Sequence, residues 1–371
     1  MKNNILILIF SVLLIMSCGG GDEIINPSTN GGSNTGGGGN NTGGGSNINL
    51  NDWLIPVAEV RDGGPGKDGI ASIDNPRLSL ASEVSSAISD DLLVIGIKVG
   101  NEVKAYPHFI MDWHEIVNDN LEDVSVAVTY CPLTGTAIGW DRIVNGSGTT
   151  FGVSGLLYNS NLIPYDRNTD SNWSQIRLEC VNGELIGEKP AIIPLVETTW
   201  GVFKSMYPEA KILDVDDTGF SINYGFYPYG DYRTNNARIL FPISPWDDRL
   251  PAKERVLAII DNQESKVFRF NSFGQGNVIN DVFNGEEILV VGNQDTMVSF
   301  GLDDQTSLLN FEYAYNGSET LFKDNEGTEW NIFGEAISGP GTGNKLNPKT
   351  SFMGYWFSIG AFYTNTEIYS N

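Results

Sequence analysis

The run Val94-Ile95-Gly96-Ile97, followed by Val103-Lys104-Ala105-Tyr106, returns in the second half of the chain as Val256-Leu257-Ala258-Ile259 followed by Ser265-Lys266-Val267-Phe268. At the same offset Ile116-Val117-Asn118-Asp119 falls on Val278-Ile279-Asn280-Asp281, and Val126-Ala127-Val128 falls on Ile288-Leu289-Val290. With a few residues deleted, Trp173 matches Trp330, and Gly183-Glu184-Leu185-Ile186-Gly187 resembles Gly334-Glu335-Ala336-Ile337-Ser338. Trp200, Tyr207 and Ile212 then match Trp356, Tyr363 and Ile368. So many landmarks in one order indicate an internal duplication. It comprises a first repeat over 51–213, a connector over 214–253 and a second repeat over 254–371.

Within each repeat, short β-branched and aromatic runs alternate with Gly, Asn and Asp turns. Examples are Leu92–Val99, Val124–Tyr130, Thr149–Val153, Val256–Ile260, Ser265–Phe270, Glu287–Val291 and Asn310–Tyr315. Helices are expected at Pro107–Val117, with Pro in the first turn, and at Thr198–Met206. The pattern predicts a mainly β body, with α+β as the alternative. Two related β-rich repeats packed as a pseudo-dimer are the simplest architecture, and one sandwich or barrel built from both halves fits the pattern equally.

The first fifty residues have a different character. Lys2 precedes an apolar run from Ile5 to Met16, which ends in Leu14-Ile15-Met16-Ser17-Cys18. The run is too short for a membrane span, which needs roughly 20 apolar residues, and has the length of a signal peptide, 1–17. A small residue before Cys18 resembles the lipobox of bacterial lipoproteins, in which the cysteine is lipidated and becomes the new N-terminus. Residues 18–50 are dominated by Gly, Asn, Ser and Thr and read as a disordered tether. At roughly 5–6 Å × √n, such a tether reaches about 30 Å. The expectation is a bacterial envelope protein anchored to the outer membrane through Cys18, on its periplasmic or surface-exposed face.

The 371 residues carry 46 acidic against 22 basic side chains, a formal charge of −24. With no basic cluster, nucleic-acid binding is disfavoured, and solubility outside the cell explains the excess. Of the three cysteines, Cys131 and Cys180 remain once Cys18 is lipidated, in a compartment that permits disulfides.

The two histidines, His108 and His114, both lie in the first repeat. At the repeat offset His108 falls on Phe270, His114 on Gly276 and Cys131 on Asn293. A site built on these groups therefore belongs to the first copy. His108 and His114 sit about 240° apart on a helix and do not share a face. Cys131 ends a strand and enters the turn Pro132-Leu133-Thr134-Gly135-Thr136, a place from which a side chain can reach a cleft. Thiolate and imidazole suit a soft metal site for copper or zinc, or a cysteine nucleophile with histidine as base. Asp119 or Glu115 would be an extra ligand or orienter. Asp166, Arg167, Asp170, Ser171 and Trp173 form a second polar cluster. It reads as a clamp on its own loop, or as a recognition surface for a polar or anionic ligand.

Several stretches resemble the DUF3179 family: Gly63-Gly64-Pro65-Gly66-Lys67-Asp68-Gly69-Ile70, Trp113-His114-Glu115-Ile116-Val117-Asn118-Asp119, Tyr130-Cys131-Pro132-Leu133 and Ser154-Gly155-Leu156-Leu157-Tyr158-Asn159-Ser160. So do Tyr165-Asp166-Arg167 and Ser171-Asn172-Trp173-Ser174-Gln175. The resemblance covers roughly 55–365 and implies an exported or envelope-associated bacterial protein of unassigned function. It places His114 and Cys131 inside family motifs and Cys180 outside them, which favours a site over a Cys131–Cys180 bridge. A second cysteine common in the family pattern is replaced here by Thr134, against a CxxC redox or two-thiolate role. Three functions remain in view: a Cys131/His114 metal site, a non-catalytic envelope module binding sugar or peptide, and a thiol enzyme.

Overall fold

The computed structural model describes residues 52–85 and 87–370. The signal peptide, Cys18 and the tether lie outside the described residues. The protein is mainly β, with short helices α1 (His108–His114), α2 (Trp200–Met206) and α3 (Trp356–Phe362).

Three sheets of the first half have counterparts in the second. The hairpin Leu93–Val99/Glu102–Pro107 is flanked by Val196–Thr199 on one edge and by Lys211–Ile212, parallel, on the other. Arg255–Asp261/Glu264–Arg269 is flanked in the same way by Ser351–Tyr355 and by Glu367–Ile368, again parallel. A meander through Ile116–Leu121, Val124–Cys131 and Thr136–Asp141 corresponds to Asn277–Phe283, Glu286–Gly292 and Met297–Gly301. A third sheet runs through Phe151–Tyr158, Asn161–Asp166, Asn172–Ser174 and Glu179–Asn182. Its counterpart runs through Phe311–Tyr313, Phe322–Asp324, Glu329–Trp330 and Ala336–Ser338.

The halves interlock. Trp140, Phe151 and Trp173 of the first half share a core with Val256, Ala258, Trp356 and Phe357 of the second. Reciprocally, Val94, Trp200 and Phe203 pack with Leu289, Phe300, Phe322 and Trp330. Each such fully buried side chain contributes about 1.5–3 kcal/mol, so neither half completes its core alone. The halves also join through the backbone, Tyr355 N–H donating to the Thr134 carbonyl at 2.7 Å.

The expected helix over Pro107–Val117 is shorter at both ends. Pro107 is its N-cap, and Glu115 ends it by adopting φ +58°. The β-branched Ile116 and Val117 then start the next strand. The helix expected from Thr198 begins at Trp200, where the Thr199 hydroxyl accepts the Val202 N–H. The alignment of Gly183–Gly187 with Gly334–Ser338 is out of register. Trp173 pairs with Cys180 and Trp330 with Ala336, so Ala336–Ser338 corresponds to the strand that ends at Asn182. Turn glycines, free to fall on either side of a strand end, misled the comparison.

The connector has no counterpart strand. After a short 3-10 turn at Val215–Asp217 it crosses the first repeat as an irregular strap. The hairpin turn Asn159-Ser160, both residues at positive φ, holds it. The Asn159 amide donates to the Ser244 carbonyl (3.0 Å) and accepts the Ser244 N–H (2.9 Å), and the Ser160 hydroxyl donates to the Phe241 carbonyl (2.9 Å).

Candidate functional site

Polar groups are buried around α1 where the second copy is apolar. His108 takes the place of Phe270. Glu197, opposite Ile95 on the neighbouring strand, takes the place of Met353, opposite Leu257. The His108 Nε2 lies 2.8 Å from the Glu197 carboxylate, which Arg255 also contacts at 2.9 Å. Burial lowers the pKa of His108 against the pull of Glu197. His108 is thus part of a buried polar set with Glu197 and Arg255.

One turn along, Asp112 is buried and both of its oxygens accept from one terminal nitrogen of Arg233, at 2.6 Å each. Burial still raises Asp112 to about 7, with Arg233 opposing the shift. Glu115 is buried with no hydrogen-bond partner for its carboxyl among the described residues. Burial, then the nearby charge of Asp112, raises it to about 8.

Among the described residues no hydrogen bond joins His114 to Cys131. Burial keeps His114 neutral by lowering its pKa. Its Nδ1 donates to the Ala71 carbonyl (2.7 Å), leaving Nε2 to accept from the Tyr224 hydroxyl (2.6 Å). Cys131 is buried, its Sγ 3.7 Å from the Ser160 carbonyl. Burial and the Glu115 charge push its thiol up to about 11. Thr134, Thr136, Asn161 and Gln175 form a hydrogen-bond network beside the Cys131 turn, so these polar side chains are spent on the scaffold. Cys131 and Cys180 are both free, which sets the bridge aside. Cys180 instead contacts the Asn172 and Asn182 carbonyls at 3.4 Å.

The group near Cys131 is Lys253, from the end of the connector. Its buried ammonium has no hydrogen-bond partner among the described residues. It lies 2.9 Å from the centroid of the Tyr232 ring and 4.7 Å from that of Phe357, while the Tyr232 hydroxyl donates to the Leu133 carbonyl at 3.0 Å. Burial lowers Lys253 to about 7, against the attraction of Cys131.

The other candidate residues are occupied within the scaffold. Asp119 accepts from Lys104 (3.1 Å) and Tyr106 (2.7 Å). Its counterpart Asp281 pairs with Lys266 at 2.7 Å, so the pair belongs to the repeat and not to a site. Asp166 holds the Thr169 N–H (2.8 Å) and the Trp173 indole (3.1 Å), as Asp324 holds the Trp330 indole (3.0 Å). Ser171 accepts the Leu185 N–H. Arg167 reaches Asp68 (3.1 Å), Ser72 (3.0 Å) and the Phe151 carbonyl (3.1 Å), tying the Gly63–Asp74 stretch to its strand. The clamp alternative accounts for these bonds. Among the described residues no group of three or more His, Cys, Asp or Glu side chains could hold a metal ion. The expected copper or zinc site lacks a ligand set among the described residues: His114 pairs with Ala71 and Tyr224 and Asp119 with Lys104 and Tyr106, which leaves too few ligands beside Cys131.

A pocket of about 500 Å³ lies between α1 and the connector. Phe109, Ile222, Tyr224 and Phe226 wall it, and Asp112, Tyr227 and Arg233 add its polar groups. The Tyr227 hydroxyl is buried without a geometrically formed hydrogen bond among the described residues. Arg233 sits over the Tyr227 ring, 4.1 Å from the centroid, and acts on it electrostatically. Sequence reading missed Asp112, Tyr227, Arg233 and Lys253. Three of these lie on a connector with no second copy for comparison, and its Tyr-rich run Tyr227-Pro228-Tyr229-Gly230-Asp231-Tyr232-Arg233 was the one available signal.

These features define a repeated, mainly β protein with a strap-covered buried thiol and a pocket beside it. The chain belongs to the DUF3179 family, described as proteins of unknown function, whose model matches residues 67–366. No curated protein and no solved structure matches it.

Proposed function

We propose that this chain is a lipid-anchored protein of the bacterial cell envelope whose body binds a small organic solute in the pocket between α1 and the connector. The anchor reading rests on Cys18, placed where the apolar run ends and the Gly/Asn/Ser stretch begins. The address that follows is the outer membrane, on its periplasmic or surface face. The binding reading is carried by one observation: a pocket with aromatic walls holds a buried tyrosine hydroxyl left without a partner. Such a group costs about 1–3 kcal/mol unless something pairs with it, and pockets of this size and lining suit small ligands. Trp113 packs edge-on against Phe226 at 5.2 Å and is a natural reporter. Titration with small organic acids, amides and sugars should change tryptophan fluorescence saturably for at least one class, and Phe226→Ala should weaken it. A flat response to all three sinks the reading. Loss of palmitate labelling and release from membranes in Cys18→Ser test the anchor.

A second reading is favoured by the unpartnered Lys253 amine near Cys131. It is a thiol site with Lys253, in place of His114, as proton acceptor. It predicts that alkylation of Cys131 slows about tenfold or more in Lys253→Met. An unchanged rate removes it.

A further inference from the structure

We infer that the pocket between α1 and the connector takes a monocarboxylate with an apolar or aromatic body, gripped by the open donors of Arg233 and the hydroxyl of Tyr227. The inference rests on the reading that this pocket binds a solute, and it names the class.

Arg233 presents five N–H donors in a planar fork. One terminal nitrogen is spent on Asp112, at 2.6 Å from each oxygen. Neither Nε nor the other terminal nitrogen has a hydrogen-bond partner among the described residues, and the side chain is 35% exposed, so three of the five donors remain open, one on Nε and two on that terminal nitrogen. The guanidinium plane is held by Asp112 on one side and by the Tyr227 ring on another, 4.1 Å from its centroid. A pre-oriented guanidinium with open, charged donors favours an anionic oxygen acceptor. The orphan Tyr227 hydroxyl adds a further donor on the same wall. The unpaired groups of the pocket therefore offer donors in excess, and the missing ligand is rich in acceptors.

Charge narrows the class. The one cation of the pocket already faces the Asp112 carboxylate, and the whole chain carries −24. A dianion such as a phosphate monoester meets more repulsion than attraction, whereas a monoanion shares the arginine with Asp112. The rest of the wall, Phe109, Ile222, Tyr224 and Phe226, offers apolar and aromatic surface to the body of the ligand. A densely hydroxylated sugar acid would leave most of its polar groups unpaired against that surface.

The test uses the full chain in detergent, with phenylacetate, its neutral isostere phenylacetamide, and phenyl phosphate as probes, read by tryptophan fluorescence and calorimetry. Phenylacetate should bind saturably, and the amide and the phosphate at least tenfold more weakly. Arg233→Lys should weaken phenylacetate tenfold or more while leaving the amide unchanged. Tyr227→Phe keeps the ring and should weaken phenylacetate about fivefold. Its unaltered melting temperature without ligand would show that the fold is intact. Equal binding of acid and amide, or an Arg233→Lys protein that holds phenylacetate as well as the wild type, overturns the carboxylate class while the pocket stands. Saturable binding by none of the three probes overturns the pocket reading itself.

Discussion

Replacing Glu115 by Gln should change how stability depends on pH. The Glu115 carboxyl is buried, lacks a hydrogen-bond partner among the described residues, and is raised to about 8 by burial and by Asp112. In the unfolded chain it titrates near ~4.3. Between these values the native state holds a proton that the unfolded state has lost. Stability therefore falls as pH rises, by up to about 1.4 kcal/mol per pH unit. From pH 5 to pH 8 this amounts to about 3–4 kcal/mol from Glu115. Gln has the shape of the protonated acid and cannot ionise. Glu115→Gln should gain about 3–4 kcal/mol on the wild type between pH 5 and pH 8. Asp112, raised to about 7, gives both proteins a similar residual slope, somewhat reduced in the variant because one neighbouring charge is gone. Urea unfolding followed by tryptophan fluorescence at pH 5, 6.5 and 8 measures the difference. Parallel pH profiles for the two proteins would show that Glu115 is ionised and solvated in the native state, and would refute the argument.

The paired indoles offer an internal control. Trp173→Phe and Trp330→Phe each strip one donor from a buried aspartate, so each should cost about 1.5–3 kcal/mol in chemical denaturation, and a loss confined to one of them would contradict the common role. Asp119→Asn breaks the buried pair with Lys104 and should cost about 3–5 kcal/mol. Asp281→Asn should cost less, because the Asp281 side chain is 21% exposed against 6% for Asp119, and denaturation midpoints rank the two. Cys180, buried and raised to about 12, should resist a thiol reagent in the native protein and react fully in denaturant. Fast native labelling at Cys180 would contradict its burial.

The repeat was legible because its landmarks are scaffold residues, set by local chemistry. Lys104 with Asp119, and Lys266 with Asp281, sit at matching strand positions in both copies and form the same ion pair. Trp173 and Trp330 likewise carry the same aspartate bond. The mainly β character followed from short β-branched runs between turns, whereas α3, which starts at Trp356 as α2 starts at Trp200, was not anticipated in the second repeat. The contrast between copies also pointed to the first repeat, where His108, Asp112, Glu115 and Glu197 are buried around α1.

What the sequence alone could not reach is which of those groups meet. Cys131 and His114 are near in the chain, yet the tautomer and contacts of His114 are settled by Ala71 and Tyr224, residues far from it in sequence. Cys131 instead faces Glu115 and a lysine from the connector. Local patterns record propensity and periodicity, which decide strands, turns and the order of the repeat. The pairing of Asp112 with Arg233, and the pocket that Arg233 opens onto, arise when an irregular strap folds back across a finished sheet. That placement depends on long-range packing between the halves, which no local pattern encodes.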